Sequence, residues 1–474
     1  MVEKAIGITA PKSRLDEWYP QAIVKAEIAD YSPVKGCMVI RPHGYGMWEH
    51  IQQYFDGRIK KLGVKNAYFP LFIPESFFKK EAQHAEGFAP EVAWIANSEE
   101  GERLAIRPTS ETIMYDMYSR WIRSYRDLPL RINQWANVVR WETKATKLFL
   151  RTREFLWQEG HCVYETDEEC AKETRLYLEE YQKLCEEVLG VAVIAGRKTE
   201  HEKFAGAKYT LSVEAFMPDG KGLQMATSHH LGQNFAKAFG ISYLGKDEEA
   251  HLPYQNSWGI STRTIGAVIM EHGDDKGVVI PPAIAPIHCV VIPILFGKHD
   301  EAILQKAKDI QKKLKWLQVE LDDRKGYTPG WKYNEWEMKG VPLRIEIGPK
   351  DIEKNCVVVI RRDTGEKQDV ACKDIVSYVK ACLEDIQKSM LRKSKERMAK
   401  SIVHPQNWEE VVKALDERKL VLGLFCGKIE CEAGIKEKTG ATSRNIPFDQ
   451  KGQAGKCLHC GKETSTEIYF SKGY

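Results

Sequence analysis

The sequence predicts an α+β fold in three successive parts, and three observations carry this prediction. Residues 137–161 contain two strand-like runs around a basic loop, which is the pattern of an antiparallel hairpin. Apolar strand runs and a helical run alternate between about residues 284 and 385, which is typical of a mixed α/β domain. Four of the twelve cysteines form two close pairs near the C-terminus, which indicates a small, separately stabilised α/β unit.

Composition and charge are those of an ordinary globular protein. Its 474 residues are 43% apolar and 29% charged with a net charge of +3, so any nucleic-acid surface must be local. Residues 278–296 contain no Asp, Glu, Lys or Arg, but four prolines there would break a membrane-spanning helix. Eight cysteines stand singly, as reduced thiols do, and no signal peptide is recognisable. We therefore expect a cytoplasmic protein without a membrane partner.

The hairpin of the first part carries chemistry on one face. Arg140 and Glu142 lie two residues apart and therefore share a face of the first strand. Fixed guanidinium groups suit a triphosphate and an aromatic ring suits adenine, so the hairpin predicts an ATP site. The alternative is a ladder of ion pairs on the surface of a sheet. On the returning strand, one face would carry the odd-numbered side chains Arg151, Arg153, Phe155, Trp157, Glu159 and His161.

A further arginine stands where a strand meets an apolar helix. Arg263 follows Gly259 and precedes the run TIGAVIM, where it could cover a stacked base or reach a terminal phosphate. On its own, this arginine could also be an ion-pair partner. The phosphate loop GxxxxGK[ST], the dinucleotide motif GxGxxG and the signatures HIGH and KMSKS are absent from the sequence. An ATP site would therefore need a different cradle.

These segments resemble motifs 2 and 3 of class II aminoacyl-tRNA synthetases. GCMVIRPHGYGMWEHI resembles motif 1, with Pro42 at the position of the family's interface proline. The segments RPTSET (107–112), KFAGAKYT (203–210) and ATSHHLGQNF (226–235) resemble prolyl-tRNA synthetases of the archaeal and eukaryotic type. The resemblance covers nearly the whole chain. It implies a class II antiparallel β-sheet flanked by helices, a homodimer, and ATP-dependent loading of L-proline onto tRNA(Pro).

The resemblance also implies roles for individual residues, of which Arg140, Arg263 and Glu142 would act in catalysis. The side chains expected to contact the substrate proline are Thr109, Glu111, Arg140, Trp157, His161, Phe204, His229 and Ser261. The side chains expected to contact ATP and its Mg2+ are Arg140, Glu142, Arg151, Thr152, Phe155, Gln224, Thr227 and Arg263.

Physical chemistry agrees with the roles implied for the Thr-Ser-Glu triplet. Proline carries a secondary ammonium that can donate to a carboxylate and a hydroxyl, and Glu111 and Thr109 offer both. Attack by the prolyl carboxylate builds negative charge at the α-phosphorus, which Arg140 and Mg2+ would stabilise without a general base. Thr109 or Ser110 would also cap the helix that follows, which is compatible with substrate binding.

The α/β part, residues 284–395, resembles the anticodon-binding domain of class II synthetases. The match to WEMKGVPLRIEIGPKD and its flanks implies that Glu337, Arg344 and Lys367 read the anticodon. Arginine and lysine suit the O6 and N7 acceptors of guanine, and a carboxylate accepts from its amino group. Each residue could otherwise be an ordinary surface charge, above all Lys367.

The last part, residues 396–474, contains the cysteine pairs. Four residues separate Cys426 from Cys431, two separate Cys457 from Cys460, and 25 lie between the pairs. Such spacing predicts four thiolates around a structural Zn2+, with four unrelated thiols as the alternative. The resemblance implies the same zinc domain, and a C-terminal Tyr474 that folds back toward the first part or remains mobile.

Residues 1–283 would then form the catalytic domain of a proline–tRNA ligase. Only 97 residues separate His161 from Gly259, too few for the editing domain that bacterial-type relatives carry there. Three alternatives stay open: a class II synthetase of the threonine or histidine type, a catalytically inactive synthetase-like paralogue that binds RNA, and a zinc-dependent RNA-binding protein. The intact ATP arginines favour an active enzyme.

Overall fold

A computed structural model describes residues 7–82, 91–96, 101–141, 146–295, 297, 299–450 and 452–474. Glu142, which the sequence places in the ATP site, lies outside the described residues. Within them, no helix is long and apolar enough to cross a lipid bilayer.

The first group of elements runs from the N-terminus to His272. Its helices are α1 (Leu15–Lys25), α2 (Pro42–Lys61), α3 (Glu75–Ala82), α4 (Glu111–Trp121), α5 (Asp167–Lys183), α6 (Asn234–Phe239) and α7 (Arg263–His272). Its strands are β1 (Ala29–Tyr31), β2 (Met38–Ile40), β3 (Lys65–Asn66), β4 (Phe72–Pro74), β5 (Ala93–Trp94), β6 (Leu104–Ile106), β7 (Leu130–Val139), β8 (Glu154–Tyr164), β9 (Ile194–Arg197), β10 (Tyr209–Phe216), β11 (Lys221–Gly232), β12 (Tyr243–Leu244), β13 (Ala250–His251) and β14 (Tyr254–Ser261). Single helical turns lie at Tyr125–Asp127 and Leu184–Val188, and a third, Pro282–Ile284, lies between this group and the next.

The second and third groups follow in the chain. The second consists of β15 (Cys289–Pro293), α8 (Asp300–Lys313), β16 (Val319–Leu321), α9 (Pro329–Met338), β17 (Leu343–Ile347), α10 (Pro349–Lys354), β18 (Cys356–Arg361), β19 (Lys367–Ala371) and α11 (Ile375–Ser401). The third consists of β20 (Ile402–Val403), α12 (Trp408–Asp416), β21 (Leu420–Leu424), α13 (Ile429–Thr439), β22 (Thr442–Ser443), β23 (Ile446–Pro447), β24 (Gly455–Lys456), β25 (Glu463–Thr464) and β26 (Glu467–Gly473).

Local chemistry explains where the helices around the site begin. The hydroxyl of Thr166 accepts from the Glu169 N–H at the start of α5, and three acidic residues in the first turn complement the helix dipole. Pro42 occupies the first position of α2, where a missing N–H costs nothing. Buried tyrosines of α5 and apolar residues of α2 then pack against one face of the main sheet.

The main sheet is largely antiparallel and is flanked by helices, which confirms the predicted fold class. Its order is β20-β21-β26-β11-β14-β8-β7-β3, with β10 and β9 continuing beside β11. The pairs β7–β8, β8–β14, β14–β11 and β11–β10 are antiparallel, so five adjacent strands present one continuous face. The second group forms its own mixed sheet, in the order β16-β15-β17-β18-β19.

The C-terminal group joins the main sheet rather than standing apart from it. Lys472 and Gly473 of β26 pair in parallel with Lys221 and Gly222 of β11. The hydroxyl of the last residue, Tyr474, donates to Asp219 Oδ2 at 2.6 Å. The tail is therefore docked on the first group.

Candidate active site

The predicted hairpin of β7 and β8 is confirmed. The side chains on one face of β8 form the floor of a cavity. β7 and β8 pair from Leu130 and Val163 to Val139 and Glu154. Phe155, Trp157, Glu159 and His161 all line one cavity of about 220 Å³. These alternate side chains share a face because side chains in a strand point to opposite sides in turn. The even-numbered Gln158 faces α5, where Tyr181 donates to it at 2.5 Å.

The predicted six-residue face is wrong at its first two members, because β8 begins only at Glu154. Arg153 turns away, with Nη1 donating to Lys35 O at 3.0 Å and its guanidinium 4.4 Å from the Trp141 ring centre. Arg151 pairs through its backbone with Lys147 in a tight loop, where the chain has not yet become a strand.

Most of the predicted substrate and ATP residues do converge. The cavity is lined by Thr109, Glu111, Arg140, Phe155, Trp157, His161, Phe204, Gln224, Thr227, His229, Ser261 and Arg263. Arg151 and Thr152 are not among its lining residues; the Thr152 hydroxyl donates to Glu154 O at 2.7 Å instead. Several side chains that the sequence reasoning did not assign to a ligand also line it, including Glu159, Ser257 and Trp258.

The Thr-Ser-Glu triplet brings two acceptors into a buried corner of the cavity. Thr109, Ser110 and Glu111 are all buried, and the Thr109 hydroxyl donates to the Glu111 carboxylate. The predicted side-chain cap of α4 is wrong. Ser110 occupies the cap position, but its hydroxyl accepts from Gln134 Nε2 at 3.0 Å instead of capping the helix.

Arg140 follows directly after β7 and reaches over the aromatic floor. Its Nε donates to Pro108 O at 3.3 Å. The guanidinium carbon lies 5.5 Å from the Phe155 ring centre and 5.7 Å from that of Trp157. Contacts of this kind hold a cation in place through the ring quadrupole, so the guanidinium is pre-oriented toward the cavity.

Arg263 enters the same cavity from another element. It is the first residue of α7, its backbone N–H faces Ser261 Oγ at 3.3 Å, and its Nε donates to Leu150 O at 3.2 Å. Ser261 pairs with Trp157 across β14 and β8, which sets Arg263 beside the hairpin floor. The two predicted catalytic arginines therefore meet at one site, although they are 123 positions apart in the chain.

A row of aligned residues crosses the floor from β11 to β8. His229 pairs with Ser257, and Ser257 pairs with His161. Burial lowers the pKa of His229 to about 3, so its imidazole is neutral at physiological pH. Thr210 and Thr227 each place a hydroxyl within 3.0 Å of one of its ring nitrogens, and Phe204 packs 4.8 Å from the ring centre.

Buried polar atoms of several residues that line the cavity lack a hydrogen-bond partner among the described residues. Among them are the indole nitrogen of Trp157 and the hydroxyl of Ser257. Buried polar groups in folded proteins nearly always find a partner. A polar ligand in this cavity would supply one.

Some residues that shape or support the cavity wall carried only weak sequence signals. Gly160 stands directly opposite Trp258, and a Cβ there would lie 2.1 Å from the indole ring. A glycine inside a strand is the signal that could have identified this close approach. Gln134 of β7 contacts Glu159, and Tyr115 of α4 contacts His161. No local sequence pattern predicts such long-range contacts.

Two of the three predicted anticodon readers, Arg344 and Lys367, share one face of the second sheet, and the third, Glu337, lies on α9. Arg344 pairs with Ile360 and Ile360 with Lys367, so the two cations stand two strands, or about 10 Å, apart. Arg344 is only 7% exposed and donates to Glu337 at 3.0 Å and to Glu346 at 2.8 Å. Lys367 is exposed.

The four C-terminal cysteines form one cluster. Their sulfur atoms all lie within 4.8 Å of one another, with Cys426 Sγ 3.5 Å from Cys431 and 3.8 Å from Cys460. Tetrahedral Zn–S bonds of about 2.3 Å place sulfurs about 3.8 Å apart. The donor set and its size therefore fit a structural Zn2+.

Comparison with known proteins gives three family matches along the chain. They are tRNA synthetase class II core domain (G, H, P, S and T) at residues 93–272, anticodon binding domain at 288–382, and prolyl-tRNA synthetase, C-terminal, at 408–474. The chain is 50% identical to a proline–tRNA ligase of Alkaliphilus oremlandii, over 98% of each chain. It is 49% identical to proline–tRNA ligase 2 of Clostridioides difficile, with the same coverage.

Solved structures give the same result at the level of the fold. A prolyl-tRNA synthetase from Cryptosporidium parvum, in complex with halofuginone and AMPPNP, matches with a TM-score of 0.94 and 44% identity. The match covers 99% of this chain and all of the other. The same synthetase in complex with L-proline and AMP also has a TM-score of 0.94, at 43% identity.

Proposed function

Because this chain belongs to the class II prolyl-tRNA synthetases, we propose that it activates L-proline with ATP and transfers the prolyl group to the 3′ end of tRNA(Pro). The observation that carries this conclusion is the convergence of Glu111, Arg140 and Arg263 on one cavity. A catalytically inactive RNA-binding paralogue would not need two guanidinium groups and a carboxylate around a buried slot.

The amino acid end of the cavity suits proline. The carboxylate of Glu111 and the hydroxyl of Thr109 would accept from the secondary ammonium, and Trp157, His161 and Phe204 would surround the pyrrolidine ring. Arg140 would bind the substrate carboxylate and hold it against the α-phosphorus of ATP. That carboxylate is already a nucleophile, so the protein contributes position and positive charge rather than proton transfer.

The nucleotide end uses the rest of the lining. The ring of Phe155 offers a face for adenine, Arg263 offers a second cation, and Gln224 and Thr227 offer polar contacts on β11. ATP brings Mg2+ with it, which neutralises phosphate charge. Roles for Arg151, Thr152, Ser261 and His229 stay predictions, as does that of Glu142.

Zinc would serve the C-terminal group as a structural ion. Cys426, Cys431, Cys457 and Cys460 would hold it, and two of these thiols already belong to the apolar core of that group. A bound Zn2+ would supply the cross-link that so small a core lacks. Its sulfur ligands leave no open position for catalysis.

Anticodon recognition would take place on the second sheet. Lys367 is exposed and can reach a base directly, whereas Arg344 would contact one through the edge that its two carboxylate partners leave accessible. Glu337 would act from α9 beside it. The proposed domains are residues 1–283, 284–395 and 396–474.

We also infer a homodimer formed around motif 1. Large apolar side chains are exposed on and near the β1–β2 hairpin and α2, among them Tyr31 (64% exposed), Val34 (51%), Val39 (50%) and Tyr45 (42%). An exposed apolar cluster of this kind is typical of a surface that another protein molecule covers. Pro42 opens α2 within the same region.

Two further proposals concern type and location. The two proline–tRNA ligases named above, of Alkaliphilus oremlandii and Clostridioides difficile, are bacterial, so their sources do not support the archaeal and eukaryotic label. What favours that type is the link between β8 and β14, which is filled by α5, β9 to β13 and α6 and leaves no room for an inserted domain. None of the twelve cysteines, all of which the structure describes, forms a disulfide, which favours the cytoplasm.

The test is transfer of labelled proline to a tRNA(Pro) transcript, with and without ATP. We expect ATP-dependent charging by the wild type and a loss of at least about 100-fold in Glu111→Gln, which removes the charge that binds the ammonium. Arg153→Ala is the matched control, because that side chain points away from the cavity. Absence of charging by the wild type would contradict the proposal.

A further inference from the structure

Tyr115 is a buried residue of α4 that the proposed reaction does not use, yet it contacts the cavity wall. Its hydroxyl oxygen lies 2.9 Å from His161 Nδ1, and the other ring nitrogen, Nε2, lies 3.1 Å from Glu159 Oε2. All three side chains are buried. His161 and Glu159 line the cavity and Tyr115 does not, so any effect of Tyr115 on a substrate passes through His161.

The direction of the hydrogen bonds to Glu159 follows from the backbone. The Phe69 N–H can only donate, and Gln134 Oε1 accepts from it at 2.6 Å. Gln134 Nε2 is therefore the atom that faces Glu159 Oε1, at 3.0 Å, and the Ser110 N–H donates to Glu159 Oε2 at 3.1 Å. Both carboxylate oxygens accept hydrogen bonds, which favours the ionised form of Glu159. Burial raises the pKa of Glu159, whereas the hydrogen bonds from His161, Ser110 and Gln134 act in the opposite direction and lower it.

An ionised Glu159 and a protonated Tyr115 together fix the hydrogens of His161. Nε2 must carry a hydrogen, because Glu159 can only accept. Burial, assisted by the nearby Glu111 charge, raises the pKa of Tyr115 well above its usual value, so the phenol keeps its proton. Within the described part of the chain, His161 Nδ1 is the one hydrogen-bond partner of this hydroxyl. A buried O–H without an acceptor is costly, so Tyr115 donates and Nδ1 accepts.

No other charged group among the described residues contacts the ring. From α4, the Tyr118 hydroxyl donates to the backbone carbonyl of His161 at 3.0 Å and not to the imidazole. From β11, His229 faces the same cavity and is neutral, and Lys198 bonds to Glu214 at 2.7 Å. Glu111 approaches from the substrate side of the cavity.

We propose that Tyr115 is a positioning residue that, together with Glu159, holds His161 as a neutral imidazole with its hydrogen on Nε2. This inference rests on the proposed function. Its consequence is that the wall around the pyrrolidine ring stays uncharged, so Glu111 remains the group that attracts the substrate ammonium. A cationic imidazole would repel that ammonium and would offset the negative charge of the cavity.

The first test compares Tyr115→Phe with Tyr118→Phe, which removes a buried hydroxyl of the same helix that bonds to backbone. Kinetics of proline-dependent ATP–pyrophosphate exchange are measured from about pH 6 to about pH 8.5. In Tyr115→Phe we expect the KM for proline to rise about tenfold at the acidic end and less at the basic end. We expect kcat and the KM for ATP to stay within about twofold, and Tyr118→Phe to keep the wild-type pH profile. Parallel profiles in Tyr115→Phe and the wild type would overturn the proposal.

The second test uses the unmodified protein and does not depend on the variant folding. Histidine labelled with 15N reports the tautomer by NMR, and His161→Gln assigns the signal. We expect the Nε2–H form at neutral pH, and an Nδ1–H or doubly protonated ring contradicts the inference. A wild type without proline-dependent exchange would refute the proposed function instead, so the two failures are distinguishable.

Discussion

Replacing Gly160 with alanine tests whether β8 sets the geometry of the site. A Cβ at this position would lie 2.1 Å from the Trp258 indole, whereas carbon atoms in contact are about 3.5–4.0 Å apart. The shortfall is roughly 1.5 Å. Trp258 cannot yield easily, because its ring stacks on Tyr177 at 4.0 Å and contacts Phe55 and Tyr181 at its edges.

The strand must therefore move, and its neighbours Glu159 and His161 move with it. Overpacking of this kind costs about 1–3 kcal/mol, which lowers the Tm of a large domain by about 2–12 °C. A displacement of about 1 Å at a reacting site can cost about 100-fold in rate. We expect Gly160→Ala to lower kcat/KM for proline in pyrophosphate exchange by about that factor.

The matched control is Gly57→Ala, an exposed helical glycine whose Cβ would contact nothing within 4 Å. It should raise stability by about 0.5–1 kcal/mol and leave the exchange unchanged. Thermal unfolding and exchange kinetics of both variants decide the matter. Wild-type kcat/KM and Tm in Gly160→Ala would refute the claim that this close approach positions the site.

Three more variants test the other parts of the molecule. Arg140→Ala should reduce ATP–pyrophosphate exchange by at least about 100-fold with an unchanged circular dichroism spectrum, and wild-type-like exchange would remove its assigned role. The wild type should contain one Zn2+ per chain by elemental analysis, and Cys457→Ser should lose the metal and unfold at a lower temperature; retention of the metal would argue against the cluster as the zinc site. Arg344→Ala should reduce tRNA charging by about tenfold or more while exchange stays within about twofold, and equal losses in both assays would count against an anticodon role.

Much of the fold and of the cavity could be predicted from the sequence, because alternate side chains along a strand lie on the same face of the sheet. Phe155, Trp157, Glu159 and His161 share a face as their spacing predicts. The prediction failed at Arg153, because nothing local marks where the loop ends and β8 begins. The predicted helix cap also failed, because the Ser110 hydroxyl accepts a hydrogen bond from the distant Gln134 and does not cap α4.

Other features depend on contacts between distant parts of the chain and left no local signal. The docking of β26 beside β11 is one example, and the ion pair of Arg444 with Glu214 at 2.7 Å, which holds the C-terminal group against the sheet, is another. From the sequence around it, Tyr115 is indistinguishable from an ordinary core residue of α4. Only the folded chain shows that its hydroxyl meets His161.

The most direct test of the central claim is ATP–pyrophosphate exchange by the purified protein with each of the twenty amino acids in turn. The cavity described above predicts that proline gives by far the highest kcat/KM. Exchange that is highest with threonine or histidine, or that no amino acid stimulates, would contradict the assignment.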